Sequence, residues 1–463
     1  MRWIYRSWIW PAGLMILAFW GLAACHRRKP PPPTSVERPI ASAVPSSLAP
    51  QPELQPLPRV ENVVLITVDA LRADQPWTGY DQVSTPNLSR LAQESVVYTR
   101  AYSLANLTAS SINGMLASRY PSELTRDTCA LGRYEIEGSL APTLQSASIE
   151  TFAAHGHAIF AGDTAPKLGF DEWQLVRGSA GRLQKAGAVT GHDIAQLLLG
   201  HLERSRPKKK TFAWSHFVDP HHVYVAHAAH LPASREARSR YDSEVAYTDA
   251  VIGHVIKSID RHGMATRTAI VLTSDHGEAF GEHGLMEHGF SLYEEEIRVP
   301  LMLRIPGVAP RRIEVPRSAI DLAPTMVQFC ALPSSELQSF QGYSLLTLVT
   351  KGPGAAARYG YSESLYPSSL VGASGLFGIR TERYEYIRAP REELYDLDQD
   401  PLEKNNLVRE KTAVAQELRE ALWHWMLEDT EMERRGEYLM PRPGRLAEAR
   451  ARGHGLRLEE RLR

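Results

Sequence analysis

The stretch ENVVLITVDA, Glu61 to Ala70, decides the class of fold. Residues Val63 to Val68 are almost continuously aliphatic, which is typical of a central strand that is buried on both faces of a parallel sheet. Asp69 follows directly at the carboxyl end of this strand. Because open α/β sheets bind ligands just beyond the carboxyl ends of their strands, this carboxylate is placed for chemistry.

Further strands and helices alternate along the chain after this first strand. Strands are predicted at TFAWSHFV (Thr211–Val218), TAIVLTSD (Thr268–Asp275) and VPLMLRI (Val299–Ile305). Helices are predicted at TPNLSRLAQES, with Thr85 as the N-cap and Pro86 first in the helix, and at TGHDIAQLLLGHLERS and SEVAYTDAVIGHVIKSI. Alternation of this kind predicts an α/β fold with a mostly parallel central sheet flanked by helices.

The alternation of strands and helices ends after Leu332. The stretch LFGIRTERYEYIRAP predicts a hairpin, and TAVAQELREALWHWMLE predicts an amphipathic helix. We therefore predict a main domain over residues 60–332 and a smaller α+β subdomain over residues 333–429 that completes the fold. The Arg-rich residues 430–463 contain few large apolar side chains and are interpreted as a solvated or disordered tail.

The segment VLTSDHGEAFGEHG, Val271 to Gly284, carries the strongest chemical signal. Asp275 and His276 end a buried strand and present a carboxylate oxygen and an imidazole nitrogen at one point, which are suitable ligands for a divalent cation. The same pair could instead cap the next helix. Asp69, at the end of another strand, is the expected third ligand.

A set of motifs occurs in one order over residues 62–407 and resembles the sulfatase branch of the alkaline phosphatase superfamily. The motifs are NVVLITVDALRAD, TPNLSRLA, LASRYP, HFVDPHHVY, YDSEVAYTD, TSDHGEAFGEHG, YEEEIRVPLMLRIPG, AIDLAPTM, RTERYEYI and ELYDLDQDPLEKNNL. The resemblance implies an alkaline-phosphatase-like sheet and one divalent metal ion (Ca, Mg or Mn) held by Asp69, Thr108, Asp275 and His276.

The resemblance also places the nucleophile. In this family a Cys or Ser that becomes formylglycine begins a C/S-x-P-x-R motif shortly before a segment like LASRYP, and Thr108 stands at that position. Thr108 cannot become formylglycine, Ser110 and Ile112 replace the motif's Pro and Arg, and Ala70 replaces a second Asp found in many sulfatases. Related phosphoethanolamine transferases and lipoteichoic acid synthases use an unmodified Thr. A plain hydroxyl needs activation, which coordination to the cation would supply.

Two histidines match further positions of the family pattern. His221, in DPHHVY, corresponds to a residue that donates to the substrate oxyanion or leaving group, and His288 stands where sulfatases usually carry a substrate-binding Lys. For each, a structural hydrogen bond is the alternative. His216, His222 and His283 are interpreted as structural imidazoles, and Glu278 as a residue that orients a ligand or caps a helix.

These residues predict a metal-dependent hydrolase of sulfate or phosphate esters that acts on a small molecule, a glycan or a lipid headgroup. The first alternative is a transferase that moves a phospho-substituent onto an envelope glycan through Thr108, and the second is a binding protein that has lost catalysis. A formal net charge of −1 provides no general basic field, so we expect no nucleic-acid partner.

The amino-terminal residues predict that the protein is located outside the cytoplasm. Arg2 and Arg6 precede a short apolar run that ends in Leu22-Ala23-Ala24-Cys25, which resembles a lipoprotein signal over residues 1–24 with Cys25 as the lipid-bearing residue. His26 follows Cys25, where a retention Asp is absent, which favours the bacterial outer membrane; a simple membrane anchor is the alternative. Pro-rich residues 25–59 then form a predicted extended tether. Cys129 and Cys330 are interpreted as two isolated buried thiols, and a disulfide between them is the alternative.

Overall fold

The first strand, β1 (Asn62–Val68), is buried along its whole length and lies inside the central sheet. In the computed structural model, the described residues are 60–126, 134–135, 138–160, 168–177, 189–205, 210–227, 229–230, 234–351, 359–367, 374–426, 432–435 and 438–441. The predicted signal peptide with Cys25, the predicted tether, Cys129 and most of the tail therefore lie outside the described residues. Cys330 is buried and has a free thiol.

The strands after β1 divide between the central sheet and several smaller ones. They are β2 (Val96–Tyr98), β3 (Ala101–Tyr102), β4 (Thr125–Arg126), β5 (Tyr134–Glu135), β6 (Glu150–His155), β7 (Glu172–Leu175), β8 (Thr211–Phe217), β9 (Thr268–Ser274), β10 (Ala279–Phe280), β11 (Met286–Glu287), β12 (Arg298–Val299), β13 (Leu301–Arg304), β14 (Arg311–Ile313), β15 (Arg317–Ser318), β16 (Gly360–Ser364), β17 (Leu376–Arg380), β18 (Tyr384–Arg388), β19 (Glu393–Asp396), β20 (Met432–Arg435) and β21 (Tyr438–Pro441).

The helices alternate with these strands. They are α1 (Pro86–Gln93), α2 (Thr108–Ala117), α3 (Leu140–Ser146), α4 (Gly191–Arg204), α5 (Ala237–Arg261), α6 (Glu294–Ile297), α7 (Leu322–Phe329), α8 (Leu346–Lys351) and α9 (Thr412–His424). Short 3-10 turns cover Pro76–Thr78, Pro121–Glu123, Ala158–Phe160, Ala265–Arg267, Glu282–Gly284, Ala319–Asp321 and Ser334–Ser339. In the part of the chain that the structure describes, no helix combines the length and the apolar character needed to cross a membrane.

The central sheet has eight strands in the order β14-β2-β13-β9-β1-β8-β6-β7. β13 is antiparallel to both of its neighbours, and the other pairs in the sheet are parallel. Helix α5 contacts both α1 and α4, and apolar residues of the three helices pack with Val64, Ile66 and Val68 of β1. The prediction of a mostly parallel sheet flanked by helices is confirmed.

The smaller C-terminal part is an antiparallel sheet in the order β16-β17-β18-β19, on which helix α9 packs. β17 and β18 form the hairpin that the sequence predicts, so the expected α+β subdomain is confirmed. Within the described part of the tail, β20 pairs antiparallel with β21.

Two local predictions need correction. The strand predicted over residues 299–305 is divided at Pro300, which cannot donate to a ladder, so that β12 and β13 enter different sheets. The Thr85 hydroxyl does not cap α1. Instead, the Asp249 carboxylate of α5 accepts hydrogen bonds from the backbone N–H groups of Asn87 (3.3 Å) and Leu88 (2.7 Å), and a carboxylate there also complements the helix dipole.

Candidate active site

The register of three parallel strands brings two distant acids together. Val68, the last residue of β1, lies opposite Ser274, the last residue of β9, so Asp69 and Asp275 emerge at the same edge of the sheet. The chain turns sharply after Asp69, where Ala70 has a positive φ of 56°. The backbone N–H of Ala70 donates to Asp275 Oδ1 at 3.2 Å, which ties the two turns to each other. Both carboxylates are completely buried.

Thr108 is the first residue of α2. Leu107 occupies the N-cap position, and its apolar side chain makes no capping hydrogen bond. Thr108 Oγ1 lies 3.2 Å from His276 Nε2 and 3.5 Å from Asp69 Oδ1. The helix N-terminus therefore directs a hydroxyl, and the positive end of its dipole, towards the two acids.

His276 is held in the tautomer that suits a metal ligand. Its Nδ1 lies 2.8 Å from the carbonyl oxygen of Gly277, so Nδ1 carries the proton and Nε2 keeps its lone pair. Nε2 lies 3.6 Å from Asp69 Oδ1 and 3.6 Å from Asp275 Oδ2. Burial alone would lower the pKa of His276, but the two carboxylates raise it above its ordinary value. The surroundings of Nε2 thus favour a positive charge.

The donor set fits a divalent cation. One ligand atom each from Asp69, Asp275 and His276 lies within 4.8 Å of the others. The oxygens Asp69 Oδ2 and Asp275 Oδ2 are buried without a hydrogen-bond partner, which is costly for carboxylates unless a cation compensates them. Two carboxylate oxygens, an imidazole nitrogen and the nearby Thr108 hydroxyl are donors suited to Ca²⁺, Mg²⁺ or Mn²⁺.

Two further histidines contact Asp69, and the sequence reasoning had not selected them for the site. His157 Nε2 lies 3.6 Å and His216 Nε2 3.4 Å from Asp69 Oδ2. His157 Nδ1 accepts a hydrogen bond from the backbone N–H of Ile159 (3.0 Å), so its Nε2 carries the proton and faces the Asp69 carboxylate beyond hydrogen-bond distance. Although burial would raise the pKa of Asp69, the neighbouring histidines, His221 first, hold it well below its ordinary value. The signal for His157 was its position two residues after β6.

His221 and His288 lie beside each other at the opening of the site, with ring centroids 5.2 Å apart. The ring of His288 also lies 4.2 Å from that of His276. His288 Nδ1 lies 2.8 Å from Glu278 Oε1, and the Tyr224 hydroxyl donates to Glu278 Oε2 at 2.9 Å. Glu278 therefore orients His288, in agreement with its predicted role as an orienting residue. Burial and the nearby His276 lower the pKa of His288, although Glu278 opposes them.

The guanidinium group of Arg72 is paired with carboxylates outside the cleft. Arg72 makes two hydrogen bonds of 2.8 Å to Asp74, and it also pairs with Glu282 at 2.9 Å. Both carboxylates therefore neutralise the Arg72 guanidinium group. Ile112 is fully buried in α2, where the family motif has its Arg. The polar groups described around Thr108 are thus histidines and carboxylates.

Comparison with known proteins places this arrangement in a family. The Sulfatase family profile matches residues 61–330, more than half of the chain, and the profile of N-sulphoglucosamine sulphohydrolase, C-terminal, matches residues 281–430.

The chain belongs to the sulfatase family.

Individual relatives are more distant. The choline-sulfatase of Rhizobium meliloti (strain 1021) is 31% identical over 180 residues, which are 38% of this chain and 33% of that protein. The chain therefore spans about a third of the length of that curated relative. Among solved structures, BT4656 in complex with its substrate D-glucosamine-2-N,6-O-disulfate has a TM-score of 0.64 at 18% identity, covering 79% of this chain and 98% of that one. The phosphonate monoester hydrolase of Agrobacterium radiobacter has a TM-score of 0.62 at 20% identity, covering 82% and 99%. These structures share the fold.

Proposed function

We propose that this sulfatase-family chain is a metal-dependent hydrolase of sulfate or phosphate esters and that Thr108 is its nucleophile. The observation that carries the proposal is the position of the Thr108 hydroxyl, 3.2 Å from His276 Nε2 and 3.5 Å from Asp69 Oδ1 at the start of α2. The Thr108 side chain is therefore buried close to Asp69 and is not exposed on the surface of α2. The curated relatives are hydrolases by name, which supports the same reaction class.

Each residue of the site has its own role in the proposed reaction. Asp69, Thr108, Asp275 and His276 would hold one divalent cation, whose positive charge lowers the pKa of the Thr108 hydroxyl and polarises the ester. Thr108 Oγ1 reacts as the alkoxide: it bonds to the phosphorus or sulfur atom while the ester bond to the leaving alcohol breaks, and the later attack of water breaks the Thr108 ester and regenerates the alkoxide. The protonated His221 gives its proton to the leaving oxygen and then, as a neutral imidazole, takes one from the attacking water. His288, oriented by Glu278, binds an oxygen of the anionic group.

The threonine also bears on the substrate. A sulfated formylglycine hydrate releases sulfate by breaking a carbon–oxygen bond, whereas an ester of Thr108 must be broken by a second attack at phosphorus or sulfur. Phosphoryl groups accept such displacements readily when the site supplies positioning and electrostatic stabilisation. The chemistry of Thr108 therefore favours phosphate esters, and the names of the relatives favour sulfate esters. The anionic group belongs to a small molecule, a glycan or a lipid headgroup.

A transferase is the second candidate, and the same threonine favours it, because an ester of Thr108 can be attacked by an acceptor alcohol as well as by water. The two functions differ in their products. With a labelled phospholipid as donor, hydrolysis releases the label into solution, whereas transfer leaves the label on an envelope glycan.

Substrate screening combined with trapping of the intermediate tests the proposal. The full chain is assayed with aryl sulfate, aryl phosphate and phosphodiester substrates in the presence of Ca²⁺, Mg²⁺ or Mn²⁺. After an acid quench, mass spectrometry of the peptide that contains Thr108 is expected to find a phosphoryl or sulfuryl group on that residue. Turnover with the adduct on Ser110 or Ser111 would overturn the assignment of the nucleophile. Absence of turnover with every substrate and ion would favour a binding protein.

We also propose that Cys25 carries lipid and anchors the chain in the bacterial envelope, with the folded part outside the cytoplasm. The support comes from the sequence: a basic start, a short apolar run and Leu22-Ala23-Ala24-Cys25, followed by a Pro-rich tether. More than one acyl chain is needed for stable binding, because a single chain binds membranes only marginally.

A further inference from the structure

A second cluster of metal-ligating side chains lies at the opposite edge of the central sheet. Glu150 is the first residue of β6, Glu172 is the first residue of β7, and His201 lies in the last turn of α4. One ligand atom from each lies within 4.8 Å of the others. The catalytic constellation lies beyond the carboxyl ends of the strands, so this cluster is a separate site.

The register of the strands explains why the three side chains meet. Phe152 pairs with Glu172 across β6 and β7, and Glu150 precedes Phe152 by two residues. The side chains of Glu150, Phe152 and Glu172 therefore lie on one face of the sheet. The ring of Phe152 stacks on that of His201, with centroids 4.4 Å apart and planes 17° apart. Helix α4 therefore lays His201 over the face from which both carboxylates project.

Hydrogen bonds fix the tautomer of His201. The Thr211 hydroxyl donates to the backbone oxygen of Glu150 at 3.2 Å, so it accepts from His201 Nε2 at 2.8 Å. Nε2 thus carries the proton, and Nδ1 keeps its lone pair. His201 is 1% exposed. Its lone pair is aimed into the cluster, where Nδ1 lies 3.8 Å from Glu172 Oε1.

The ordinary alternative is an ion pair between a protonated His201 and Glu172. A distance of 3.8 Å is too long for a hydrogen bond between Nδ1 and Oε1. Without a cation, a nitrogen lone pair and a carboxylate would face each other directly, which is unfavourable.

We propose that Glu150, Glu172 and His201 bind a second divalent cation of the zinc class. Metal–ligand bonds of about 2.1 Å from Nδ1 and Oε1 can meet between atoms at this separation. One imidazole nitrogen with two carboxylate oxygens is a donor set for Zn²⁺, Co²⁺ or Mn²⁺. His201 Nε2 donates to Thr211, which is the outer contact that usually orients a histidine ligand.

Two neighbouring groups define how the cation would be held. Arg204 Nη2 contacts Glu172 Oε2 at 3.2 Å and leaves Oε1 for the cation. The Ser205 hydroxyl donates to Glu150 Oε2 at 3.0 Å. The Glu172 side chain is 35% exposed, so an ion can enter from solvent. Bound there, the cation would fasten the end of α4 to the starts of β6 and β7, which is a structural and not a catalytic role.

The experiment separates this site from the catalytic one by working in the Asp275→Asn variant. The full chain is stripped with a chelator and dialysed against Zn²⁺, and the bound metal is measured by elemental analysis. Asp275→Asn should retain one zinc ion per chain, and addition of His201→Gln should abolish that binding. In the single variant Zn²⁺ should raise the melting temperature, and in the double variant it should leave it unchanged. Failure of the catalytic metal site would not alter this comparison.

Matched controls exclude general effects of the substitutions. His254→Gln changes an exposed histidine on α5, and Glu203→Gln changes an exposed carboxylate on α4; each should leave zinc binding in the Asp275→Asn background intact. If circular dichroism finds His201→Gln misfolded, Glu172→Gln replaces it and should likewise lose the ion. Zinc absent from Asp275→Asn, or present equally with and without the substituted ligand, would overturn the proposal.

Discussion

Replacement of Thr108 by Ala separates the chemical role of this residue from its structural role. The hydroxyl has acceptors only at 3.2 and 3.5 Å, which are long contacts worth about 0.5 kcal/mol each at most. Loss of the buried methyl group adds about 0.8 kcal/mol. We therefore expect Thr108→Ala to lower the free energy of unfolding by only about 1–2 kcal/mol. Loss of the nucleophile should reduce kcat about ten-thousand-fold, which corresponds to about 5.5 kcal/mol of barrier.

The assay measures kcat on the best aryl ester together with urea unfolding of the same preparations. Thr108→Ser keeps the hydroxyl and should retain turnover within about ten-fold of the parent, a difference of about 1.4 kcal/mol. Ser111→Ala is the matched control, because the Ser111 hydroxyl lies buried in α2 without a hydrogen-bond partner and should be dispensable. The reasoning is refuted if Thr108→Ala retains turnover, or if its loss of activity accompanies a comparable loss of folding.

Three other outcomes are expected. Purified protein should contain one Ca, Mg or Mn ion at the Asp69 site, and Asp275→Ala should lose it; equal content by elemental analysis would contradict the assignment of this ligand. Cys25→Ala should release the chain into the soluble fraction, and continued membrane association would indicate an uncleaved anchor. Burial raises the pKa of Glu296 from 4.5 to about 7. The folded state therefore prefers the protonated form of Glu296. The stability that this preference contributes is fully present below pH 4.5 and is lost as the pH rises through about 7. Glu296→Gln should flatten the decline in urea-unfolding free energy over that window, and parallel curves for the two proteins would argue against it.

Much of the fold and half of the site could be predicted because they follow from local pattern. Two aliphatic runs, each ending in an acid, are enough to place Asp69 and Asp275 at one edge of a parallel sheet. His157 was missed because β6 reads ETFAAH. Its polar residues interrupt the apolar pattern from which a buried strand is predicted. The role of Asp249 was equally inaccessible, because the helix start that it caps comes from a distant segment. Tautomers, which decide whether an imidazole donates or ligates, depend on such partners.

The link between the Ala70 N–H and Asp275 Oδ1 has a consequence for kinetics. Because a backbone N–H of one acid-bearing turn is hydrogen-bonded to the carboxylate of the other, we expect the two turns to move together when an ion enters or leaves. Asp69, Asp275 and His276 are all fully buried, so an ion can reach or leave them only when the surrounding residues move. Exchange should therefore be slow on the timescale of a column run, and a resident ion should survive purification without being supplied in the buffers.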